Sequence, residues 1–239
     1  MKSEIPRSLN QFYDSLWETA EDAFAAGTIK IDPHLNHKSE DRRRGLTIAL
    51  RPEPTTLREV SACVDELRQL EPHQYYYQPA EYHVTVLSLL TCSTRYQRSA
   101  EQDESYGRAL AAAMEGMSAF GILFQGITAT PEAVMIQGFP EEDVLNRLRS
   151  RLIEKLAGAR MSTQQRYAPK AAHMTVMRYR RESGNLPALA QKLRSLRTRV
   201  FGTTRVSALQ LVENDWYMSS DKLRLIREYE LPRAGRCRR

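Results

Sequence analysis

Two histidines in this chain stand in the same short pattern. His83 opens His-Val-Thr-Val (83–86) and His173 opens His-Met-Thr-Val (173–176). On an extended strand the side chains at i and i+2 share a face, so His83 stands with Thr85 and His173 with Thr175, each an imidazole beside a hydroxyl. The alternate residues Val84, Val86, Met174 and Val176 are apolar and can anchor each strand in a core. Histidine titrates near neutrality, so one imidazole can begin neutral and take a proton while the other begins charged and gives one. That pair suits the opening of a cyclic phosphodiester. One histidine would deprotonate the attacking water and the other protonate the departing ribose oxygen, while Thr85 and Thr175 hold the nonbridging oxygens. Neither a metal nor a covalent intermediate is required.

The elements that must carry these motifs form a repeat. Leu46 to Leu50 is a short β-type run, and Leu57, Val60, Val64, Leu67 and Leu70 then mark one face of a helix. A tyrosine-rich connection, Tyr75 to Tyr77, leads to the strand-like run Tyr82 to Leu90 that holds the first motif. In the second half Val134 to Phe139 reads as a strand. Pro140 with Glu141, Glu142 and Asp143 gives a helix start that complements the macrodipole, and Val144, Leu148, Leu152 and Leu156 continue the helix. Ala171 to Met177 then carries the second motif in the same slot. A helix-compatible stretch and a further strand follow each motif: Arg98 to Met117 with Phe120 to Thr128, and Leu186 to Leu196 with Val206 to Val212. A last strand, Leu223 to Leu231, is expected to take the place that Val134 to Phe139 holds in the first half. No Pro/Gly/Ser-rich linker separates the halves, so two α+β lobes facing each other across one cleft are expected.

The first 44 residues stand outside the repeat. Phe12, Leu16, Ala20 and Phe24 mark an amphipathic helix from Leu9 to about Ala26, expected to pack on the outside, and Asp32 to Arg44 reads as a polar surface loop. His34 and His37 in that loop form an H-x-x-H pair without carboxylate or cysteine neighbours, so they read as exposed histidines rather than metal ligands. The expected division is an extension over 1–44, a bilobal domain over 45–231 and a basic tail over 232–239.

Composition bounds the alternatives. With 239 residues, 41% hydrophobic and 27% charged, the chain can bury a sizeable core. A net charge of +6, with arginine clusters at Arg42 to Arg44 and at Arg236, Arg238 and Arg239, suits an anionic partner such as a nucleotide or RNA. Cys63, Cys92 and Cys237 are odd in number and lack metal-type spacing, and no apolar N-terminal segment reads as a signal peptide, so a cytoplasmic protein is expected. No apolar stretch approaches the roughly 20 residues that span a bilayer. There is no G-x-G-x-x-G, no phosphate loop ending in Gly-Lys-Ser/Thr, no H-E-x-x-H and no Cys-x-x-Cys, which argues against kinases, dinucleotide oxidoreductases and common zinc enzymes.

The paired HVTV and HMTV motifs, with the repeat around them, resemble the two-histidine (2H) phosphoesterase superfamily, which includes RNA 2′,3′-cyclic phosphodiesterases, also called 2′,5′ RNA ligases, and nucleotide cyclic phosphodiesterases. The resemblance covers about Gly45 to Leu231. It implies a bilobal α+β fold with antiparallel sheets and a central groove lined by both motifs, His83 and His173 as the acid/base pair, Thr85 and Thr175 as phosphate ligands, and no cofactor. The RNA-directed branch often continues its second motif to an arginine, and Arg178 stands there, a candidate contact to phosphate or nucleotide. Strict alternation would put Arg178 opposite His173, so it needs a bulge or the strand end to reach the groove. The first motif continues to Ser88, where that branch commonly has phenylalanine.

Tyr82 and Tyr167 are further candidate substrate contacts, and Tyr75, Tyr76, Tyr77, Tyr179 and Trp216 are aromatics near the motifs that can stack on a base. Arg166 and Lys170 precede the second motif and can attract phosphate. The expected substrate is a cyclic nucleotide or an RNA terminal cyclic phosphate, acted on by a chain taken as a monomer. The alternative is a module of the same fold that holds a phosphorylated nucleotide or RNA end without chemistry.

Overall fold

A computed structural model of the protein describes residues 7–161 and 171–233. Helix α1 (Arg7–Ala26) and a 3-10 segment (Pro33–Glu40) precede β1 (Arg44–Leu50), α2 (Pro54–Leu70), β2 (Tyr75–Tyr76), a 3-10 turn (Pro79–Glu81) and β3 (Val84–Ser93). Then come α3 (Ala100–Met114), β4 (Phe120–Thr130), β5 (Ala133–Pro140), α4 (Val144–Gly158), β6 (Met174–Arg178), α5 (Leu186–Ser195), β7 (Val200–Val206), β8 (Ala208–Asn214) and β9 (Arg224–Glu230). Among the described residues no helix is long and apolar enough to cross a membrane.

The strands form two sheets, ordered β3-β1-β8-β9 and β2-β6-β5-β4-β7, and every neighbouring pair is antiparallel. The expected bilobal α+β repeat is present. Motif strands β3 and β6 correspond, as do their neighbours β1 and β5. The halves also exchange strands: β4 leaves the first half to pair with β5, and β8 leaves the second to pair with β1. Each sheet therefore contains chain from both halves, which explains why no linker separates them.

Several sequence expectations change in detail. The run 206–212 is not one strand, because the chain breaks at Ser207 into β7 on one sheet and β8 on the other. Strand β9 does not take the place of β5. It lies outside β8 at a sheet edge, as β7 lies outside β4. That edge strand is largely exposed and carries Arg224, Arg227, Glu228 and Glu230, charges that discourage pairing with another chain. Tyr75 and Tyr76 are not a mere connection, since they pair with Arg178 and Met177 as the short edge strand β2.

Helix ends follow local rules with one exception. Pro54 stands in the first turn of α2, Ser99 accepts from the Gln102 N–H to cap α3, and Asn185 accepts from the Ala188 N–H to cap α5. The acidic run before α4 works differently. Glu141 turns back to accept from the Gly121 N–H at 2.8 Å, and α4 begins at Val144 without a side-chain cap from Asp143.

The N-terminal segment is integral to the core. Trp17, Ala20 and Phe24 of α1 join the main hydrophobic cluster, and Tyr13 is fully buried, its hydroxyl donating to the Gly138 carbonyl and accepting from the Gly138 N–H, both at 3.1 Å. The stretch read as a surface loop is a 3-10 helix pinned by buried Leu35. Asp32 accepts from the Tyr217 hydroxyl at 2.9 Å, Arg180 Nε donates to Asn36 at 3.2 Å, and Lys222 Nζ donates to the carbonyls of Lys38, Ser39 and Asp41. This segment therefore joins the end of β6 to the 215–222 turn.

Candidate active site

Each motif histidine sits one residue before its strand, β3 or β6. From 81 to 90 and from 171 to 180 the order of buried and half-buried residues is the same. His83, Thr85 and Ser88 are half-buried in one window, and His173, Thr175 and Arg178 in the other, while Val84, Val86, Met174 and Val176 are buried. The alternation expected for each His-x-Thr pair is thus observed.

The third half-buried residue in each window results from a β-bulge. Ile48 faces Leu87 but Ala49 faces Thr85, so β3 carries one extra residue, Val86. Val134 faces Met177 but Met135 faces Thr175, so β6 carries Val176 in the same way. A bulge reverses the alternation beyond it. It therefore brings Arg178 to the face of His173 and Thr175, and Ser88 to the face of His83 and Thr85. The bulge carbonyls are satisfied differently: Val86 accepts from Arg149 Nε at 2.9 Å, and Val176 accepts from the Tyr77 N–H at 3.1 Å.

One guanidinium ties the two motifs together. Arg149 of α4 donates from a single nitrogen, Nη2, to the Thr85 carbonyl at 3.1 Å and to the Ala171 carbonyl at 2.8 Å. The backbone of the first motif and the residue two before His173 thus meet at one atom. Space for this entry is left at Gly138, where an added Cβ would lie 1.9 Å from the Ala172 carbonyl oxygen. Only glycine allows the second motif so close to β5.

His83 is held by its own turn. Its Nδ1 lies 2.7 Å from the Glu81 carbonyl, which can only accept, so Nδ1 carries the proton and Nε2 remains for a ligand. Glu81 is itself fixed, accepting from the Gln78 N–H at 2.9 Å, and Arg51 Nη1 donates to the carbonyls of Ala80 and Tyr82 at 3.1 and 3.2 Å. Among the described residues His173 has no such anchor, and its buried Nδ1 meets no hydrogen-bond partner there. Burial pulls the His83 pKa from 6.5 down to about 4, opposed by the Glu81 carbonyl and reinforced by Arg51, His173 and Arg178. Burial, then Arg149 and Arg178, lower His173 to about 4 as well. Both imidazoles are therefore neutral at pH 7, and an anion beside them favours their protonation.

Arg178 Nε donates to the Tyr77 hydroxyl at 2.9 Å. Burial opposes its charge, but Tyr77, Asp32 and Tyr217 outweigh that, and its pKa rises above the ordinary arginine value. Among the described residues, the Thr85 and Thr175 hydroxyls and the two terminal nitrogens of Arg178 are not engaged by other protein groups. The arrangement offers two neutral imidazoles, two hydroxyls and a fixed cation, a set fitted to a phosphate ester.

Other sequence candidates fall elsewhere. Tyr82 is 1% exposed and turned away from the motif face, its hydroxyl meeting Ser61 of α2, so it does not reach substrate. The reason is alternation, since Tyr82 neighbours His83 and takes the opposite side. Tyr76 is tied to the Leu67 and Glu71 carbonyls, and Tyr179 is fully buried. Tyr75 packs edge-on to Tyr77, the partner of Arg178, with ring centroids 5.2 Å apart, and Arg43 lies over Trp216 at 5.2 Å. His34 and His37 are exposed on the 3-10 segment. Tyr167, Arg166 and Lys170 lie outside the described residues. Sequence reasoning missed Arg149 and Arg51. Arg149 had left a signal, since it stands four residues after Leu145 and three before Leu152, inside the apolar stripe of α4.

Comparison with known proteins agrees with this layout. The family model for the 2′-5′ RNA ligase superfamily matches residues 52–216, a span that includes both motifs. Among solved structures, TT0787 of Thermus thermophilus superposes with a TM-score of 0.58 at 16% identity, covering 80% of this chain and 100% of its own. E. coli LigT complexed with 3′-AMP gives 0.54 at 15% identity over 80% of this chain and 99% of its own, and a structure described as a phosphoesterase gives 0.56 at 14% over 80% and 99%. No curated protein matches the sequence. With the motif-bearing span matched and the lobed fold shared, the chain belongs to the 2′-5′ RNA ligase superfamily, the two-histidine phosphoesterase group that its paired His-x-Thr motifs resemble.

Proposed function

We propose that this protein is a metal-independent cyclic phosphodiesterase that opens a 2′,3′-cyclic nucleotide or an RNA terminal cyclic phosphate by acid/base catalysis through His83 and His173. The observation that carries the reading is the sharing of one guanidinium by the two motifs, Arg149 bonding the Thr85 carbonyl of the first and the Ala171 carbonyl that leads into the second. One neutral imidazole takes a proton from water as its oxygen attacks phosphorus. The bond from phosphorus to one ribose oxygen breaks, and the other imidazole, protonated, gives its proton to that oxygen. Thr85, Thr175 and Arg178 hold the nonbridging oxygens, and the product is a phosphomonoester. E. coli LigT, which shares this fold, has been crystallised in complex with 3′-AMP, and that supports a nucleotide ligand here.

The test is incubation with 2′,3′-cyclic nucleotides and with RNA bearing a terminal cyclic phosphate, products being resolved by chromatography with and without EDTA. Turnover to a monoester at an unchanged rate in EDTA is expected. Turnover abolished by EDTA and restored by a divalent ion would exclude the metal-independent step, and binding without product at any pH would leave a nucleotide-binding module instead.

A further inference from the structure

Arg149 is placed where an arginine is costly. The buried stripe of α4 consists of Leu145, Leu148, Leu152 and Leu156, and Arg149 stands among them, 5% exposed. Withdrawing a guanidinium from water costs several kcal/mol unless its donors are met. Four hydrogen bonds meet them here, three of them to backbone carbonyls in or just before the two motifs. Nε donates to Val86 O at 2.9 Å, Nη2 to Thr85 O at 3.1 Å and Ala171 O at 2.8 Å, and Nη1 to Asn146 Oδ1 at 3.2 Å. Val86 is the bulge residue whose carbonyl leaves the ladder to β1, so the contact falls where the first motif strand would otherwise lack a partner.

We propose that Arg149 is a positioning residue for the two-histidine site, locking the bulge of the first motif and the backbone entering the second into one register so that both imidazoles address a single phosphate. The proposal rests on the phosphoesterase reading above. The side chain touches no substrate atom in this scheme and acts through the strands it holds. A planar fork fits the arrangement, because one guanidinium reaches Val86 O from Nε while Nη2 bonds Thr85 O and Ala171 O, and a point-like ammonium does not present donors at two fixed positions. A misplacement of about 1 Å in such a site costs on the order of 100-fold in rate.

The surroundings supply a second readout. His173 feels the cations Arg149 from α4 and Arg178 from its own strand, and in turn disfavours the charge of His83. Arg149 in turn is faced by the Tyr13 hydroxyl from α1 and by Asp143 before α4. Removing the Arg149 charge therefore makes His173 easier to protonate, whereas exchanging it for lysine does not.

Two variants test the proposal in the full chain. Arg149→Lys keeps the cation and loses the fork, and kcat is expected to fall about 100-fold while KM changes less than about threefold. Arg149→Met removes the cation, and the His173 ring followed by NMR without substrate is expected to titrate at higher pH than in wild type. Wild-type kcat in Arg149→Lys, or an unmoved His173 titration in folded Arg149→Met, overturns the proposal. Should Arg149→Met not fold, the split between kcat and KM in Arg149→Lys decides alone. Should the wild type turn over no cyclic phosphate, the phosphoesterase reading fails, and the substrate-free titration still judges the coupling of Arg149 to His173.

Discussion

His83→Ala and His173→Ala are each expected to lower kcat on a 2′,3′-cyclic phosphate by about 10³-fold, within the range of positioned acid/base groups. The double variant should be little worse than either single one, because neither half of a proton relay works without the other. Folding should survive. Both rings are half-buried at the strand entries, and neither belongs to the hydrophobic clusters that hold the lobes. Steady-state kinetics with thermal melting checks the claim. Loss confined to KM would reduce the histidines to binding groups, and a melting temperature far below wild type would make them structural.

The second large effect is on pH dependence. Both imidazoles have folded pKa values near 4 against an ordinary 6.5, with burial the leading cause. The free enzyme carries the one proton it needs most often near pH 4, so kcat/KM is expected to fall about tenfold per pH unit above pH 5. Bound phosphate favours imidazolium, so the profile of kcat, which reports the complex, should lie at higher pH. Stability moves in the opposite direction. A depressed histidine binds its proton more readily in the unfolded chain, so its contribution to stability is complete above pH 6.5 and is lost as pH falls toward 4. At pH 5 the loss is on the order of 2 kcal/mol per histidine. Melting temperature should therefore drop more between pH 7.5 and pH 5 in the wild type than in a His83→Gln, His173→Gln double variant. Equal drops would mean that the rings are not held neutral by their surroundings.

What the sequence made legible was local. The strand-borne pairs His83 with Thr85 and His173 with Thr175 follow from a period of two, and α2, α4 and α5 follow from their apolar stripes. Arg178 was identified as a candidate, but the bulge that turns it to the motif face depends on pairing between β6 and β5, which no local pattern encodes. The same holds for Ser88 on β3. The exchange of β4 and β8 between sheets is likewise nonlocal, and so is the break at Ser207. Tyr82 was misplaced for a local reason, since a residue next to His83 on an extended chain takes the other side. Arg149 was passed over because a lone arginine at a core-facing position can extend its head to water, and only the carbonyls of β3 and of Ala171 show that it stays buried.

Two-histidine chemistry requires one phosphate to be shared by both motifs, and the most direct measurement is a crystal structure of the protein with a nucleoside 2′- or 3′-monophosphate. The expected density places the phosphate between the Nε2 atoms of His83 and His173, with the Thr85 and Thr175 hydroxyls and Arg178 on its oxygens. A phosphate held by one motif alone, with the other imidazole out of hydrogen-bond reach, would contradict it.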